Sequence, residues 1–376
     1  MPSALPVEVG SFVGRDRERA ELGELLADAR VLTLVGPGGS GKTRLALAVA
    51  RDAEHEVPDG ACWVDLASVG DAAIVAAVTA AAVGVQPRPS QDLVDTLIED
   101  LRGRRVLIIL DNCEHLVDAC SALATSLLLA CPRVTVLATS REPLGVEGEV
   151  TFAVALLPVP APDARSATEV GMADAARLFE VRARQVRPAF EVTDDNAVAV
   201  ADICRQLDGI PLAIELAAAR VRVLTPAQIA AGLTDRFRLL TAGVRGAPPH
   251  HRTLEASVQW SYEPLDETQR LALARLSVFV GSFGLAAAEA VAAGREIDEA
   301  QVLDLIAALA ENHWCRSARA TARHATGCWR RSGCTPVIAW PSSIAPPGYA
   351  TATWTSTAIS PSERAPVWPG RGPMHG

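Results

Sequence analysis

The chain has 376 residues, 49% of them hydrophobic, 21% charged and 4% aromatic, with a formal net charge of -9 and a pI of about 5.4. That length allows two or three domains with a sizeable core, while the acidic balance and the scarcity of rings exclude a surface built by itself to attract nucleic acid, an anionic membrane or stacked bases. Met1–Gly10 has no basic segment followed by an apolar core, and the longest apolar run, Ala72–Val85, is broken by Thr79 and Gly84, so neither a leader nor a membrane span is expected and the chain is read as cytoplasmic.

The first motif is Phe12-Val13-Gly14-Arg15, ahead of a helix expected over Arg17–Ala29; residues 1–30 are read as an entry segment. An apolar pair and a glycine just before a nucleotide strand suit the wall of a base pocket, and equally a domain-entry turn.

Val31–Val35 reads as a buried strand and Arg44–Ala50 as an amphipathic helix. Between them Gly36-Pro37-Gly38-Gly39-Ser40-Gly41-Lys42-Thr43 is a full G-x-x-x-x-G-K-[ST] phosphate loop, in the strand-before, helix-after setting that the motif requires. The glycines let successive N–H groups turn inward toward phosphate oxygens, and the helix adds its free N–H groups and positive dipole end. Lys42 supplies a compact charge and the Thr43 hydroxyl a ligand for Mg²⁺. Lys42 is the only lysine in the chain. Arginine serves elsewhere, which suggests a site that rejects the planar guanidinium.

Ala61–Leu66 is a short strand; Asp71–Val83 and Gln91–Arg102 read as helices separated by Pro87-Arg88-Pro89. Arg105–Asp111 is an apolar strand ending in an acid, the Walker B pattern that delivers a carboxylate to the end of a parallel strand where α/β sites lie. Asp111 is expected to hold Mg²⁺ through water; a strand-ending acid without a ligand role is the alternative. Asn112 stands where fast P-loop ATPases commonly place a glutamate, which points to slow hydrolysis. Glu114 and His115 follow closely enough to polarise water, and spacing does not choose between them.

Leu116–Ala130 reads as a helix and Val134–Ala138 as a strand running into Thr139-Ser140-Arg141. Arg141 is placed to sense a γ-phosphate, or else pairs with Glu142 at the surface. Glu149–Leu156 gives a fifth strand. The alternation over 31–160 predicts an α/β fold, a doubly wound parallel five-stranded P-loop NTPase sheet.

Pro158-Val159-Pro160-Ala161-Pro162 is a stiff linker, after which the pattern turns helical. A helical domain is expected over 165–247: Thr193 caps a helix bearing Ala197, Val200, Ala201, Cys204 and Leu207 on one face, Gly209 stops it, Pro211 opens the next, and Thr225-Pro226 starts a third. A split near Pro248-Pro249 leads to a second module, 250–309, where Asp266 and Gln269 form a capping-box-like start for Leu271–Phe279. Eight cysteines without a C-x-x-C pair predict buried thiols and no structural zinc.

The stretch 310–376 is anomalous. It has no leucine and no aspartate, holds five of the seven tryptophans, and sets seven arginines against two acids, Glu311 and Glu363. A disordered tail, a Cys/His site from His313, Cys315, His324, Cys328 and Cys334, and an out-of-frame translation of a GC-rich gene compete. The Cys/His spacing fits no zinc pattern, five tryptophans are unusual for disorder, and the out-of-frame reading is preferred.

Six motifs in order carry a resemblance: Phe12–Arg15 (FVGR), the GPGGSGKT loop, LDNCEHL around Asp111, ATSREPLG (Ala138–Gly145), DGIPLAIELAAARV (Asp208–Val221) and LSVFVGSF (Leu276–Phe283). The chain resembles the NB-ARC-like nucleotide switch of STAND-class regulators, in the form attached to actinobacterial LuxR-type and SARP-type transcriptional regulators, from about Phe12 to Leu309. The resemblance implies ATP/ADP and Mg²⁺ as cofactors, with Gly36–Thr43 holding phosphates and Mg²⁺, Asp111 as the Walker B acid and Arg141 as the sensor. Phe12, Val13 and Arg15 would approach adenine, and Pro211 would pack on the base. It also implies a switch, closed with ADP and self-associating with ATP, and a helical ARC-like domain followed by a partial winged helix. The family's wing and later nucleotide-contacting motif are missing after Leu309, so the chain is expected to be truncated there, and no DNA-binding module is found. The function expected is a regulatory ATP/ADP switch with slow or no turnover; the alternatives are a true ATPase or phosphotransferase, and a non-functional remnant.

Overall fold

A computed structural model describes residues 5–7, 10–233, 262, 265–279, 282–311, 316–317 and 337–339. The chain divides into two units, Met1–Ser257 and Val258–Gly376.

The first unit is built on five strands, β1 (Val31–Val35), β2 (Ala61–Asp65), β3 (Leu107–Asp111), β4 (Thr135–Ser140) and β5 (Val150–Ala153), all parallel in the order β2-β3-β4-β1-β5. The central strands are buried on both faces, which is why they read as continuous apolar runs rather than as alternating ones. The period of two still sorts their side chains. Val31, Ile108, Leu110, Val136 and Ala138 face one layer, built from α3 (Val75–Ala82), α4 (Leu93–Leu101) and α5 (Val117–Ala130). Leu32, Leu34, Leu107, Ile109 and Leu137 face the other, built from α1 (Asp16–Asp28) and α2 (Lys42–Asp52). The expected doubly wound parallel sheet is therefore present.

Strand order places the site. From β1 the chain crosses to β2 at the far edge, whereas from β4 it passes to β5 on the other side of β1. The reversal leaves a crevice at the carboxyl ends of β1 and β4, where ligands of open α/β sheets bind. The phosphate loop leaves β1 into that crevice, and Arg141 follows β4.

Local boundaries shift by a few residues. The helix expected from Asp71 begins as a 3-10 turn, Ala72–Ile74, with the Asp71 carboxylate accepting from the Ala73 amide, before α3 starts at Val75. Pro87-Arg88-Pro89 falls between α3 and α4, as its lack of helix-compatible donors requires.

Beyond the proline linker come α6 (Ala167–Gly171), α7 (Asp174–Val186), α8 (Asp194–Gln206), α9 (Pro211–Ala218) and α10 (Pro226–Gly232). Capping boxes start α6, α8 and α10, and Pro211 occupies the first turn of α9. Phe179, Val200, Ile203, Leu207, Ile214 and Ile229 are buried. Gly209 joins this layer to the sheet. Its φ is +69°, a β-carbon there would lie 2.0 Å from the Leu157 carbonyl oxygen, and its own carbonyl accepts from the Leu157 amide at 3.0 Å. Only glycine fits both demands.

In the second unit, helices Glu267–Leu276, Leu285–Ala292 and Glu299–Glu311 enclose Leu265, Leu276, Phe283, Ile297, Val302 and Leu309. The capping box at Asp266 and Gln269 starts the first helix at Glu267, one turn ahead of the apolar run that begins at Leu271. Ser282–Gly284 is a short strand, antiparallel to Val337–Ala339, which also pairs with Arg316–Ser317. The expected split at Pro248-Pro249, and the 310–376 stretch apart from Ala310, Glu311 and those two strands, lie outside the described residues. Among the described residues no helix is long and apolar enough to cross a membrane, and the described cysteines are buried free thiols.

Candidate functional site

The loop from Gly36 to Gly41 closes on itself through the Ser40 amide, which donates to the Pro37 carbonyl at 3.2 Å. α2 starts at Lys42, so its first-turn N–H groups lack intrahelical partners and face the crevice with the helix's positive end. The Lys42 ammonium, 7% exposed, folds back to donate to the carbonyls of Gly36 at 2.8 Å and Pro37 at 3.2 Å. Burial lowers its pKa to about 8. Glu114 and Asp111 pull it back up, and Arg141 adds to the lowering.

Asp111 ends β3 and is nearly buried. Its Oδ1 accepts from the Thr43 hydroxyl at 2.9 Å and from the Thr139 hydroxyl at 2.6 Å. Burial raises its pKa to about 6, against those two hydrogen bonds, with Asp65 and Glu114 adding to the rise. The Thr139 oxygen also accepts from the Asn112 amide at 3.0 Å. Asn112 sits in the left-handed region, φ +65°, and turns the chain sharply off the strand. Threonine 139 thus ties the ends of β3 and β4 together.

Arg141 is buried, and burial lowers its pKa while Glu114 raises it. Its Nε lies 3.5 Å from Glu114 Oε1. Glu114 is carried by the 3-10 turn Cys113–His115, and Arg141 is buried, unlike the surface arginine weighed in the alternative. His115 Nε2 donates to the Val69 carbonyl at 2.8 Å.

Arg15 is also buried, with φ +63°. Its guanidinium donates to the carbonyls of Ser40 at 2.7 Å and Ala155 at 2.8 Å, pinning the loop from beneath. Desolvation lowers its pKa, opposed by Glu18 and Asp174. The Phe12 ring lies 5.7 Å from the Arg19 guanidinium carbon and 5.9 Å from that of Arg44. Val13 is half-buried beside it.

The helical layer reaches the loop directly. The Leu212 amide donates to the Gly39 carbonyl at 3.2 Å, and a β-carbon at Gly41 would stand 3.8 Å from Pro211 Cγ. Glu215, one turn along α9, accepts on Oε1 from Arg44 at 3.1 Å and from Arg182 at 2.9 Å. Both arginines also donate to the Ser11 carbonyl, at 2.9 Å and 3.2 Å. Arg44 is the residue after Thr43, so the phosphate loop's helix, α7 and α9 meet at one carboxylate, and the same two arginines tie in the entry segment through the Ser11 carbonyl.

Gly36–Thr43, Asp111, Arg141, Arg15 and Pro211 are therefore gathered around one crevice. Sequence reasoning gave no role to Thr139, Arg182 or Glu215. Thr139 lay inside the strand-end motif beside Arg141; nothing in the spacing of Arg182 and Glu215 pairs them.

The donor set fits a magnesium–polyphosphate. Ser40 Oγ is buried without a hydrogen-bond partner, an orphan at the bottom of the loop. The Thr43 oxygen, while donating to Asp111, keeps lone pairs for a hard cation. Lys42 has only main-chain carbonyl dipoles as direct hydrogen-bond acceptors.

Residues 26–141 match the family model described as an AAA domain. A Mycobacterium tuberculosis protein, named as a candidate HTH-type transcriptional regulator, is 50% identical over 287 residues, 76% of this chain and 31% of its own. The chain thus spans about a third of that relative's length. An uncharacterized Mycobacterium bovis protein is 46% identical over 286 residues, 76% of this chain and 70% of its own. Among solved structures, a Walker-type ATPase of Pyrococcus abyssi shares the fold at a TM-score of 0.53 and 14% identity, over 84% of this chain and 95% of that one.

Proposed function

We propose, from the premise that this chain belongs to the family of AAA-type P-loop NTPases carried by actinobacterial STAND-class regulators, that it is an ATP/ADP-binding switch with slow or no hydrolysis. The contact of Leu212 with Gly39 is the observation that carries the reading. It fastens the helical layer to the loop that would wrap the phosphates, so whatever fills the loop acts on the position of α9.

In this reading residues 31–160 are the nucleotide domain, 165–247 the helical domain that reads it, and 250–309 a winged-helix-like module. Gly36, Pro37, Gly38, Gly39, Ser40 and Gly41 present amides to the phosphates, and Lys42 exchanges its carbonyl partners for phosphate oxygens. Thr43 and Asp111 hold Mg²⁺, which when bound neutralises phosphate charge. Arg141 meets the γ-phosphate. Phe12, Val13 and Arg15 lie on the adenine side, with Pro211 against the base. Asn112, in place of an acid, leaves no strong base next to Asp111 and keeps turnover slow. The ATP-bound open form self-associates, and in the longer relatives the output passes to a transcriptional-regulator module.

The nucleotide that copurifies is the test. Protein denatured by heat or acid is expected to release about one ADP per chain, and size-exclusion in ATP is expected to give a larger species than in ADP. Turnover of ATP at several per second without a partner, in the range of ordinary enzymes at ~10 s⁻¹, overturns the switch in favour of an ATPase or phosphotransferase.

A further inference from the structure

Glu114 sits at the crevice with only one of its two carboxylate oxygens engaged. Its neighbours in the turn Cys113–His115 are both turned elsewhere: the Cys113 thiol donates to the Leu110 carbonyl at 3.4 Å and His115 to the Val69 carbonyl at 2.8 Å. Glu114 lies against Arg141, its side chain 10% exposed. Oε1 stands 3.5 Å from Arg141 Nε, and Oε2 is buried with no hydrogen-bond partner among the described residues. A buried carboxylate oxygen left without a donor is costly, and a carboxylate serving only to neutralise an arginine would be expected to use both oxygens in a fork. The pair is a contact of opposite charges and not a close hydrogen bond, which leaves it open to displacement.

We propose that Glu114 is the residue that sets the preference between nucleoside triphosphate and diphosphate, by competing with the third phosphate for Arg141. The inference rests on the switch reading and deepens it. A diphosphate leaves the Glu114–Arg141 pair intact. A triphosphate must draw the guanidinium away from Glu114, so part of its extra attraction is used in breaking that pair. The resting chain is thereby biased toward the diphosphate without any change in the phosphate loop itself.

The test is calorimetric titration of ADP and of a non-hydrolysable ATP analogue into the whole chain. Glu114→Gln keeps the shape and removes the charge; beyond any change common to both nucleotides through Lys42 and Asp111, it is expected to raise the analogue's affinity relative to that of ADP by about tenfold. In an Arg141→Gln background the same substitution is expected to leave the ratio where it is. Glu114→Asp, one methylene shorter, is expected to move the ratio the same way by about threefold, and serves if Glu114→Gln does not fold. An unmoved ratio, equal changes for both nucleotides, or a shift that persists without Arg141 overturns the role of Glu114. Wild-type protein that binds neither nucleotide removes the switch reading itself.

Discussion

The amide of Leu212 donates to the carbonyl of Gly39, linking the second residue of α9 to the phosphate loop. A helix start leaves its first N–H groups without partners. Pro211, at the first position, has none to satisfy, so Leu212 carries the next one, and it is the loop that accepts it. The helical layer completes its own hydrogen bonding only when the loop is in this shape.

The hinge of that layer is Gly209. With φ +69° and a β-carbon that would fall 2.0 Å from the Leu157 oxygen, Gly209→Ala is expected to destabilise the first unit by about 2–4 kcal/mol. The urea midpoint checks it. A midpoint within error of wild type would mean that the linker and α9 separate freely.

Lys42→Met separates stability from binding. The buried ammonium hydrogen-bonds to main-chain carbonyls, and burial disfavours its charge by more than Glu114 and Asp111 restore, so replacing it with an apolar chain of similar length is expected to raise the melting temperature of nucleotide-free protein. The same change is expected to weaken ADP by roughly a hundredfold or more and abolish the melting shift that ADP gives. Unchanged ADP affinity by calorimetry refutes the site assignment.

Glu215 joins Arg44 to Arg182. Glu215→Ala is expected to cost about 1–2 kcal/mol, below the figure for a fully buried pair because the carboxylate is 31% exposed. The variant is also expected to be cut faster at the 158–162 linker in limited proteolysis. A stability loss without faster cutting would place Glu215 in the fold and outside the coupling of the two layers.

The site titrates on both sides of neutrality. Lys42 has a folded pKa of about 8 against an ordinary 10.5. Between those values the unfolded chain holds a proton that the folded chain lacks, so stability rises with pH across that window. Asp111, about 6 against 3.8, binds the extra proton in the folded chain, so stability falls as pH rises from 3.8 to 6. A bound magnesium–diphosphate requires charged Lys42 and ionised Asp111. Its affinity is expected to be flat between about 6 and 8 and to fall by up to about tenfold per pH unit on either side. Calorimetry at pH 5, 7 and 9 checks it; without Mg²⁺ the acid limb is expected to flatten.

Much of the sheet was legible because its physics is local. Val31–Val35 and the run ending at Asp111 are apolar stretches between turn signals, and the phosphate loop is a contiguous motif. The pairing of β1 with β4 and β5 was not, since register between distant strands leaves no mark in either strand. The crevice divides in the same way. Lys42, Thr43 and Asp111 announce themselves by motif, whereas Glu114 and His115 stand level in the sequence, and only the turn's geometry sets Glu114 beside Arg141 and His115 at the Val69 carbonyl. Arg182 and Glu215 lie 33 residues apart, and their meeting depends on how α7 packs on α9.

One consequence follows from Lys42 standing without another lysine in 376 residues. A lysine-specific endoprotease has a single susceptible peptide bond in the whole sequence, between Lys42 and Thr43, in the first turn of α2. Cleavage there demands that this turn unravel, so the rate at which two fragments form reads the opening of one helix end, undisturbed by fraying anywhere else in the molecule.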